Sequence, residues 1–134
     1  MTSKMLLVLD LDETLLFATT TPLDRQADFH VGSYSVYKRP HVDHFLDRVS
    51  EGFELAIWTS AGDVYARKAV AELLGSRADD IAFLWTSEKC TRRFSGETRE
   101  EYFVKDLKKV KRQGYDLSRI IVLDDTPSKH ERNY

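Results

Sequence analysis

Two aspartates, Asp10 and Asp12, lie one residue apart directly after the apolar run 5–9. An aspartate at the end of a buried strand loses hydration, so it is unfavourable unless a cation or a hydrogen-bond donor meets it. A carboxylate placed there can act as a nucleophile and form an acyl-phosphate, while a second carboxylate moves protons. A nearby Mg²⁺ would keep the nucleophile ionised and offset phosphate charge. The alternative is an exposed turn in which Thr14 caps a helix, but the position after an apolar strand favours a site.

Two further segments place useful side chains after apolar runs. Thr59 and Ser60 follow the run 53–58 and precede a helix, where hydroxyl and free N–H groups can bind phosphate. Simple helix capping is the alternative interpretation. Lys105 also follows apolar residues and could place a positive charge on a phosphoryl oxygen, although a lysine at a helix start is more often only solvated.

A second aspartate pair, Asp124 and Asp125, follows the apolar run 120–123. Adjacent carboxylates at a strand end repel each other unless a cation lies between them. Either Mg²⁺ or Lys105 could supply that charge. A plain turn before Pro127 is the less favoured interpretation.

These groups need a fold that brings several strand ends to one edge. Continuous apolar runs, typical of buried parallel strands, occupy residues 5–9, 53–58, 81–85 and 120–123. Helical spacing is found from Pro40, from Asp63 as a cap to Gly75, and from Lys105 to Gln113 before Gly114. This alternation predicts an α/β fold with a central, mostly parallel sheet flanked by helices, and ligands bind at the carboxyl ends of such strands.

One segment interrupts the alternation. Residues 29–37 alternate in part around Gly32 and Ser33, which predicts a small β-hairpin inserted after the first strand. Phe17 and Tyr37, near this insertion, could line an apolar wall beside the site, with plain packing as the alternative.

Basic residues are concentrated in a predicted loop before Lys105. They are Lys89, Arg92, Arg93 and Arg99. They could guide an acidic or phosphorylated chain, and Arg92 and Arg93 are the candidates for substrate contact; a solvated basic loop is the equal alternative.

Composition limits the class of protein. A chain of 134 residues favours a single domain, 1–134, and the net charge of −2 provides no global basic field for nucleic acid. Cys90 is the single cysteine, so an internal disulfide framework is excluded and a reducing compartment fits. The apolar run 5–9 is too short to cross a membrane. We expect a cytoplasmic protein, or a nuclear one in a eukaryote, with no membrane role.

An aspartate pair, a hydroxyl segment, a lysine and a second aspartate pair, in that order, resemble the motif series of the haloacid dehalogenase superfamily. More narrowly, the chain is similar to the small phosphatases of the RNA polymerase II C-terminal domain, the NLI-interacting-factor-like family. The segments that carry this resemblance are 9–15, 38–42, 58–61, 104–107 and 123–127. Arg-Pro-His-Val at 39–42 is the most family-specific of them.

The resemblance implies a capless, Rossmann-like haloacid dehalogenase fold and a Mg²⁺-dependent phosphatase. Asp10 would be the nucleophile that forms an aspartyl-phosphate. Asp12 would protonate the leaving alkoxide and then activate the hydrolytic water. The Mg²⁺ ligands would be the carboxylates of Asp10 and Asp125 and the backbone carbonyl of Asp12. Asp125 departs from the family, where asparagine is frequent, but an added carboxylate should bind Mg²⁺ at least as well.

The resemblance also assigns a phosphate-binding set. The Thr59 hydroxyl and the N–H groups of Leu11 and Ser60 would bind phosphoryl oxygens. Lys105 would neutralise the phosphate and the phosphoaspartate, and Asp124 would steady the lysine from outside the site.

The expected substrate is phosphoserine or phosphothreonine in a peptide or protein, because an open cleft without a cap admits a chain. A polynucleotide-end or small-metabolite phosphatase of the same fold is the alternative, although the acidic net charge weighs modestly against nucleic acid. A catalytically silent phosphopeptide-binding module is a third hypothesis. It draws on the chain end at Tyr134, where relatives continue with another strand and helix. That ending predicts either a truncated product or a short version with an exposed sheet edge.

Overall fold

The protein is described by a computed structural model that covers residues 4–131 and residue 133. Within these residues the strands are β1 Met5–Leu9, β2 Leu16–Thr19, β3 Phe29–Val31, β4 Tyr34–Lys38, β5 Phe53–Trp58, β6 Leu84–Trp85, β7 Thr91–Phe94, β8 Glu101–Val104 and β9 Ile120–Leu123. The α-helices are α1 Val42–Gly52, α2 Asp63–Leu74 and α3 Lys108–Lys111.

The central sheet has the strand order β6-β5-β1-β9, and all its pairs are parallel. β1 lies in the interior, with Leu7 opposite Leu55 of β5 on one side and Ile121 of β9 on the other. The apolar runs predicted as parallel strands are therefore confirmed for β1, β5 and β9, and so is the α/β class. β1 and β5 are largely buried, whereas in β9 Ile121 and Leu123 are 42% and 43% exposed. β6 is shorter than the predicted 81–85, although Ala82 still donates its N–H to Leu55 O at 2.7 Å.

The predicted hairpin is confirmed, with Gly32 in the turn at φ 57°. A side chain at this φ is strained, which explains the glycine. The hairpin belongs to a three-stranded antiparallel sheet of order β2-β4-β3, because β2 also joins β4. β2 had no prediction; its four residues are too short for a strand pattern to be recognised.

The basic segment predicted as a loop is instead a second antiparallel hairpin, made of β7 and β8. Arg92 lies opposite Phe103, and Arg93 lies opposite Tyr102. The loop prediction was wrong because β7 carries charged residues at consecutive positions, so its pairing with the aromatic residues of β8 has no alternating signal of its own.

The helices begin and end close to the predicted positions, with two corrections at their N-termini. His41 has φ 67°, in the left-handed region, so α1 begins at Val42 rather than at Pro40. Asp63 is the first helical residue of α2, and Gly62 occupies the cap position without a side-chain hydrogen bond. Gly75 ends α2 at φ 58°, as predicted.

The third helix is much shorter than the predicted 105–113. The Asp106 carboxylate accepts the N–H of Lys108 at 3.0 Å, which starts α3 only at Lys108. Turn structure then leads to Gly114, at φ 101°. Lys105 therefore lies between the end of β8 and the start of α3, outside the helix.

Apolar side chains fill both faces of the parallel sheet, as the alternation of side chains along a strand requires. On one face, Leu7 and Leu9 pack with Leu46 of α1 and Leu73 of α2. On the other face, β1 contributes residues to a cluster that contains Leu6, Val8, Ala56, Trp58, Trp85, Cys90 and Val110. None of the helices in the described part of the chain is long and apolar enough to span a membrane.

Candidate active site

The predicted site residues follow the carboxyl ends of different strands. Asp10 follows β1, Thr59 follows β5 and Asp124 follows β9. The parallel ladder continues into them, because the Asp10 N–H donates to Leu123 O at 2.9 Å and the Thr59 N–H donates to Trp85 O at 2.9 Å. These main-chain bonds fix where each side chain leaves the sheet.

Lys105 lies at the centre of the site. It is 1% exposed, and its ammonium group lies 3.0 Å from Asp10 Oδ1 and 2.5 Å from Asp124 Oδ2. A buried lysine of this kind depends on its partners, because removing one member of a buried ion pair leaves an uncompensated charge. Lys105 thus separates two carboxylates that would otherwise repel each other.

Asp10 is held through both carboxylate oxygens. Lys105 contacts Oδ1, and the Thr14 hydroxyl donates to Oδ2 at 3.2 Å. Burial raises the pKa of Asp10 to about 6 even though the charge of Lys105 lowers it. In most molecules the Asp10 carboxyl group is therefore ionised at neutral pH. Each of its oxygens keeps a further lone pair that can attack an electrophile.

The Asp12 carboxylate is held separately from this pair. The Tyr65 hydroxyl, from α2, donates to Asp12 Oδ1 at 2.6 Å. Burial raises the pKa of Asp12, while the hydrogen bond from Tyr65 lowers it. Tyr65 in turn meets the ring of Tyr34 edge to face at 5.6 Å. Asp12 thus lies between the carboxylate cluster and an aromatic wall.

Three of the predicted phosphate-binding groups, the Thr59 hydroxyl and the N–H groups of Leu11 and Ser60, lie just after the ends of β1 and β5. The Thr59 hydroxyl accepts the N–H of Ala61 at 3.0 Å, and the Ser60 hydroxyl accepts a hydrogen bond from Lys129 at 3.0 Å. No hydrogen bond within residues 4–131 and 133 uses the N–H groups of Leu11 or Ser60. Two main-chain donors are therefore available for an anion.

Three carboxylates converge near Asp10. Oxygen atoms of Asp10, Asp124 and Asp125 lie within 4.8 Å of one another. Mg²⁺ binds through one or two carboxylates and keeps several waters, so this donor set fits the ion. The Asp12 carboxylate is not one of these three and accepts the Tyr65 hydroxyl. The role of the Asp12 carbonyl as a ligand stays a prediction.

Asp124 is fixed by donors on both sides. Burial raises its pKa, but hydrogen bonds from His130 and Lys105 outweigh burial and hold the pKa of Asp124 well below its usual range. His130 Nε2 lies 3.0 Å from Asp124 Oδ2, and the Thr126 N–H donates to Oδ1 at 3.0 Å. Asp124 is therefore ionised and oriented toward Lys105.

The predicted substrate contacts differ in their positions. Phe17 is 42% exposed and lines an open pocket of about 320 Å³ together with Asp12, Tyr34 and Tyr65. Tyr37 is only 3% exposed, and its hydroxyl accepts the Leu23 N–H and donates to Arg25 O. Tyr37 therefore packs the preceding loop, which was the alternative given for it, and its burial does not support substrate contact.

The predicted basic contacts lie on the second hairpin. Arg92 is exposed, lies over the Phe103 ring at 5.8 Å and has Glu101 at 4.0 Å. Arg93 is half-buried beside Tyr102 on the same pair of strands. Contact of either arginine with substrate stays a prediction.

Sequence reasoning missed four residues of the site: Thr14, Tyr65, Lys129 and His130. Thr14 lies in the first motif, so its spacing from Asp10 was a usable signal. The others contact residues far away in sequence or follow the last motif, and a single lysine, tyrosine or histidine has no local pattern that marks it.

Comparisons with known proteins give a consistent result. The family model for NLI interacting factor-like phosphatases matches residues 5–134. The CTD nuclear envelope phosphatase 1 homolog of Caenorhabditis elegans is 32% identical over 144 residues, which cover 96% of this chain and 54% of the relative. The carboxy-terminal domain RNA polymerase II polypeptide A small phosphatase 1 of Homo sapiens is 34% identical over 134 residues, covering 95% of this chain and 47% of the relative. The chain spans about half the length of these curated relatives.

A solved structure is also similar. It is that of the fission yeast RNA polymerase II CTD phosphatase Fcp1 bound to beryllium fluoride, with a TM-score of 0.69, 21% identity, and coverage of 95% of this chain and 38% of that one. This likeness concerns the fold, and it confirms the haloacid dehalogenase fold predicted from the motif order.

Proposed function

Because the chain belongs to the NLI interacting factor-like phosphatase family, we propose that it is a Mg²⁺-dependent phosphatase acting on phosphoserine or phosphothreonine in exposed peptide segments. The observation that carries this proposal is the arrangement around Asp10. A buried, mostly ionised carboxylate is oriented by Lys105 and Thr14 at the strand-end edge that also carries the Leu11 and Ser60 N–H groups, which have no partner in the described part of the chain. This is a nucleophile beside a phosphate site.

In the first chemical step, a carboxylate oxygen of Asp10 attacks phosphorus. The bond from phosphorus to the serine or threonine oxygen breaks, and that oxygen takes a proton from the Asp12 carboxyl group. The product is an aspartyl-phosphate on Asp10 and a free hydroxyl side chain. Lys105 balances the negative charge on the phosphoryl oxygens.

In the second step, the Asp12 carboxylate takes a proton from a water molecule that attacks phosphorus. The bond between phosphorus and the Asp10 oxygen breaks, which releases inorganic phosphate and restores both aspartates. Asp10 and Asp125 would hold Mg²⁺ together with the Asp12 carbonyl, and Asp124 would steady Lys105. When bound, the ion would offset phosphate charge and orient the phosphoryl group.

The position of Asp12 also supports a peptide substrate. The leaving oxygen must lie next to the acid that protonates it. The rest of the substrate then extends past Asp12 toward the open pocket lined by Phe17, Tyr34 and Tyr65. Relatives named for the C-terminal domain of RNA polymerase II make a phosphoprotein the favoured class. Some relatives are named for the nuclear envelope, so a nuclear location joins the cytoplasmic one as a proposal.

The proposal is tested by hydrolysis of p-nitrophenyl phosphate and of a phosphoserine peptide, with Mg²⁺ and with EDTA. We expect Mg²⁺-dependent turnover by the wild type and its loss in Asp10→Asn. Asp116→Asn, an exposed carboxylate outside the site, serves as the matched control. Equal turnover by Asp10→Asn and the wild type, or no turnover by a folded wild type, would contradict the proposal. The second result, with retained phosphopeptide binding, would favour a binding module.

A further inference from the structure

Lys129 is, after Lys105, a second lysine at the site, and main-chain hydrogen bonds hold it in place. It lies in the short 3-10 turn Pro127–His130, directly after the second aspartate pair. Its carbonyl accepts the Lys105 N–H at 2.5 Å, and its own N–H donates to Thr126 O at 3.1 Å. The two lysines are therefore joined through their backbones.

The ammonium groups of the two lysines differ in their partners. Lys105 contacts the carboxylates of Asp10 and Asp124, which leaves one N–H donor for phosphate, whereas Lys129 donates to the Ser60 hydroxyl at 3.0 Å. Within the described residues, no carboxylate lies within ion-pair distance of the Lys129 ammonium group. One of its three N–H donors is used, so two are available for a ligand.

The position of this available charge is informative. Ser60, like Leu11, carries a main-chain N–H group that has no partner among the described residues. The ammonium group of Lys129 lies against the Ser60 side chain, and its charge acts on the carboxyl groups of Asp10 and Asp12. Lys129 thus lies on the β5 side of the site, and Lys105 lies between Asp10 and Asp124.

The balance of charges at the site indicates a role for Lys129. Four carboxylates, those of Asp10, Asp12, Asp124 and Asp125, lie near the strand ends. Lys105 offsets the charge of one of them, and a bound Mg²⁺ would offset two more. A phosphate monoester adds close to two further negative charges at neutral pH. An ammonium group without a carboxylate partner is the group that an incoming phosphate can contact without breaking an ion pair.

We propose that Lys129 is a further phosphate-binding residue, whose ammonium group contacts a nonbridging oxygen of the substrate phosphoryl group and of released inorganic phosphate, beside the Ser60 N–H. This proposal rests on the proposed function for the ester substrate, but binding of inorganic phosphate tests it independently. Lys129 neither attacks phosphorus nor moves a proton in this scheme. Its removal should therefore weaken phosphate binding more than it slows the chemical steps.

The direct test is calorimetric titration of inorganic phosphate into the protein at fixed Mg²⁺. The variants are Lys129→Met, which keeps much of the aliphatic stem, Lys129→Ala and Lys129→Arg. Lys68→Ala, an exposed lysine of α2, removes the same charge at a distance. We expect about a tenfold weaker phosphate affinity for the Met and Ala variants, recovery of most of it in Lys129→Arg, and no change in Lys68→Ala, in line with the loss of one charge-assisted contact.

Steady-state kinetics give a second readout. With the phosphoserine peptide, Lys129→Met should raise KM and the inhibition constant of phosphate about tenfold, with kcat within about threefold of the wild type. Wild-type phosphate affinity in Lys129→Met with an unchanged melting temperature would overturn the proposal, and so would a fall in kcat with KM unchanged.

The two proposals fail in different ways. If the wild type hydrolyses no phosphomonoester but its phosphate affinity depends on Lys129, the proposed function fails and the assignment of Lys129 holds. If turnover is normal and phosphate affinity is the same in all variants, the assignment of Lys129 fails alone.

Discussion

Lys105 contacts two carboxylates that are far apart in sequence, Asp10 and Asp124. These contacts show which site residues can be predicted from the sequence. Asp10, Lys105 and Asp124 were predicted as neighbours because each follows an apolar strand and the motif order resembles a known family. Tyr65 and Lys129 were not predicted, since their partners lie 53 and 69 positions away in sequence. Contacts of that kind depend on how α2 and the last turn pack, which no local pattern encodes.

The hydrogen bond from Tyr65 to Asp12 has a specific consequence for catalysis. Tyr65→Phe should lower kcat for a phosphoserine peptide about tenfold and alter hydrolysis of p-nitrophenyl phosphate far less, because an alkoxide leaving group needs the positioned acid and p-nitrophenolate does not. Comparing the two substrates in parallel assays measures this difference. Tyr115→Phe is the control, since its hydroxyl also donates to a carboxylate, Glu54, away from the site. An equal loss with both substrates would show that Tyr65 does not position the acid.

The buried thiol of Cys90 should be unreactive in the folded protein. Burial raises the pKa of Cys90, although the charge of Lys105 lowers it. Because the pKa of Cys90 is higher in the folded state than in the unfolded state, folding favours the neutral thiol. The stability that comes from keeping this thiol neutral is fully present below about pH 8.5 and is lost as the pH rises through the folded pKa. Alkylation by iodoacetamide at pH 8, followed by mass spectrometry, should be at least about tenfold slower than in guanidinium chloride. Equal rates would mean that the thiol is accessible.

The strands of the central sheet and the β3–β4 hairpin were predictable from local patterns, whereas β2 and the β7–β8 hairpin were not. β1 and β5 appear in the sequence as continuous apolar runs because both their faces are covered. β9 is also a continuous apolar run, although Ile121 and Leu123 on one of its faces are exposed. The β7–β8 hairpin carries charged and aromatic residues at consecutive positions, so its pairing depends on contacts between its own strands. The third helix was overestimated because Lys105 fits a helical spacing, although its side chain is required in the site.

Asn133 connects the last turn of the described chain to the residues after β8 through side-chain hydrogen bonds. Its side chain accepts the Leu107 N–H at 2.8 Å and donates to Lys105 O at 2.9 Å and toward His130 Nδ1 at 2.9 Å. Asn133→Ala should lower the free energy of unfolding by about 1–2 kcal/mol, because partly buried main-chain groups lose their partners. Urea denaturation followed by circular dichroism measures the loss. Ser128→Ala, at an exposed position of the same turn, should leave the midpoint unchanged, and an equal effect of both variants would contradict the role of Asn133.

At the scale of the whole molecule, the parallel sheet carries the candidate site residues at the carboxyl ends of its strands. The α/β class, the parallel sheet and the edge expected to carry the site all followed from apolar runs that end in polar residues. The β3–β4 hairpin followed from its partial alternation around Gly32 and Ser33. β2, the β7–β8 hairpin and the position of Tyr65 in the aromatic pocket did not, because their patterns are short or depend on tertiary contacts. Local sequence patterns thus predict the strand ends, whereas the residues around the site that would contact a substrate are brought together only by tertiary packing.

Cation binding at this edge should stabilise the whole fold. Three carboxylates within 4.8 Å of one another repel, so Mg²⁺ binding to the folded state should raise the melting temperature as its concentration passes the dissociation constant. Differential scanning fluorimetry between EDTA and about 10 mM Mg²⁺ measures the shift. Asp125→Ala should reduce it strongly, and Asp116→Ala should keep it. An identical response of all three proteins would place the ion elsewhere.

The pairing of β1 with β9 also fixes when activity can arise during synthesis and folding. Leu7 lies opposite Ile121, so the two strands that present Asp10 and Asp124 enclose most of the chain between them. Closing so long a segment is slow, and chains dominated by distant contacts fold late as a unit. In a nascent chain Asp10 is therefore present long before the carboxylates that follow β9, and the contacts of Lys105 with Asp10 and Asp124 can form only once β9 has been made. The candidate site is consequently completed only at a late stage in the synthesis of the described segment.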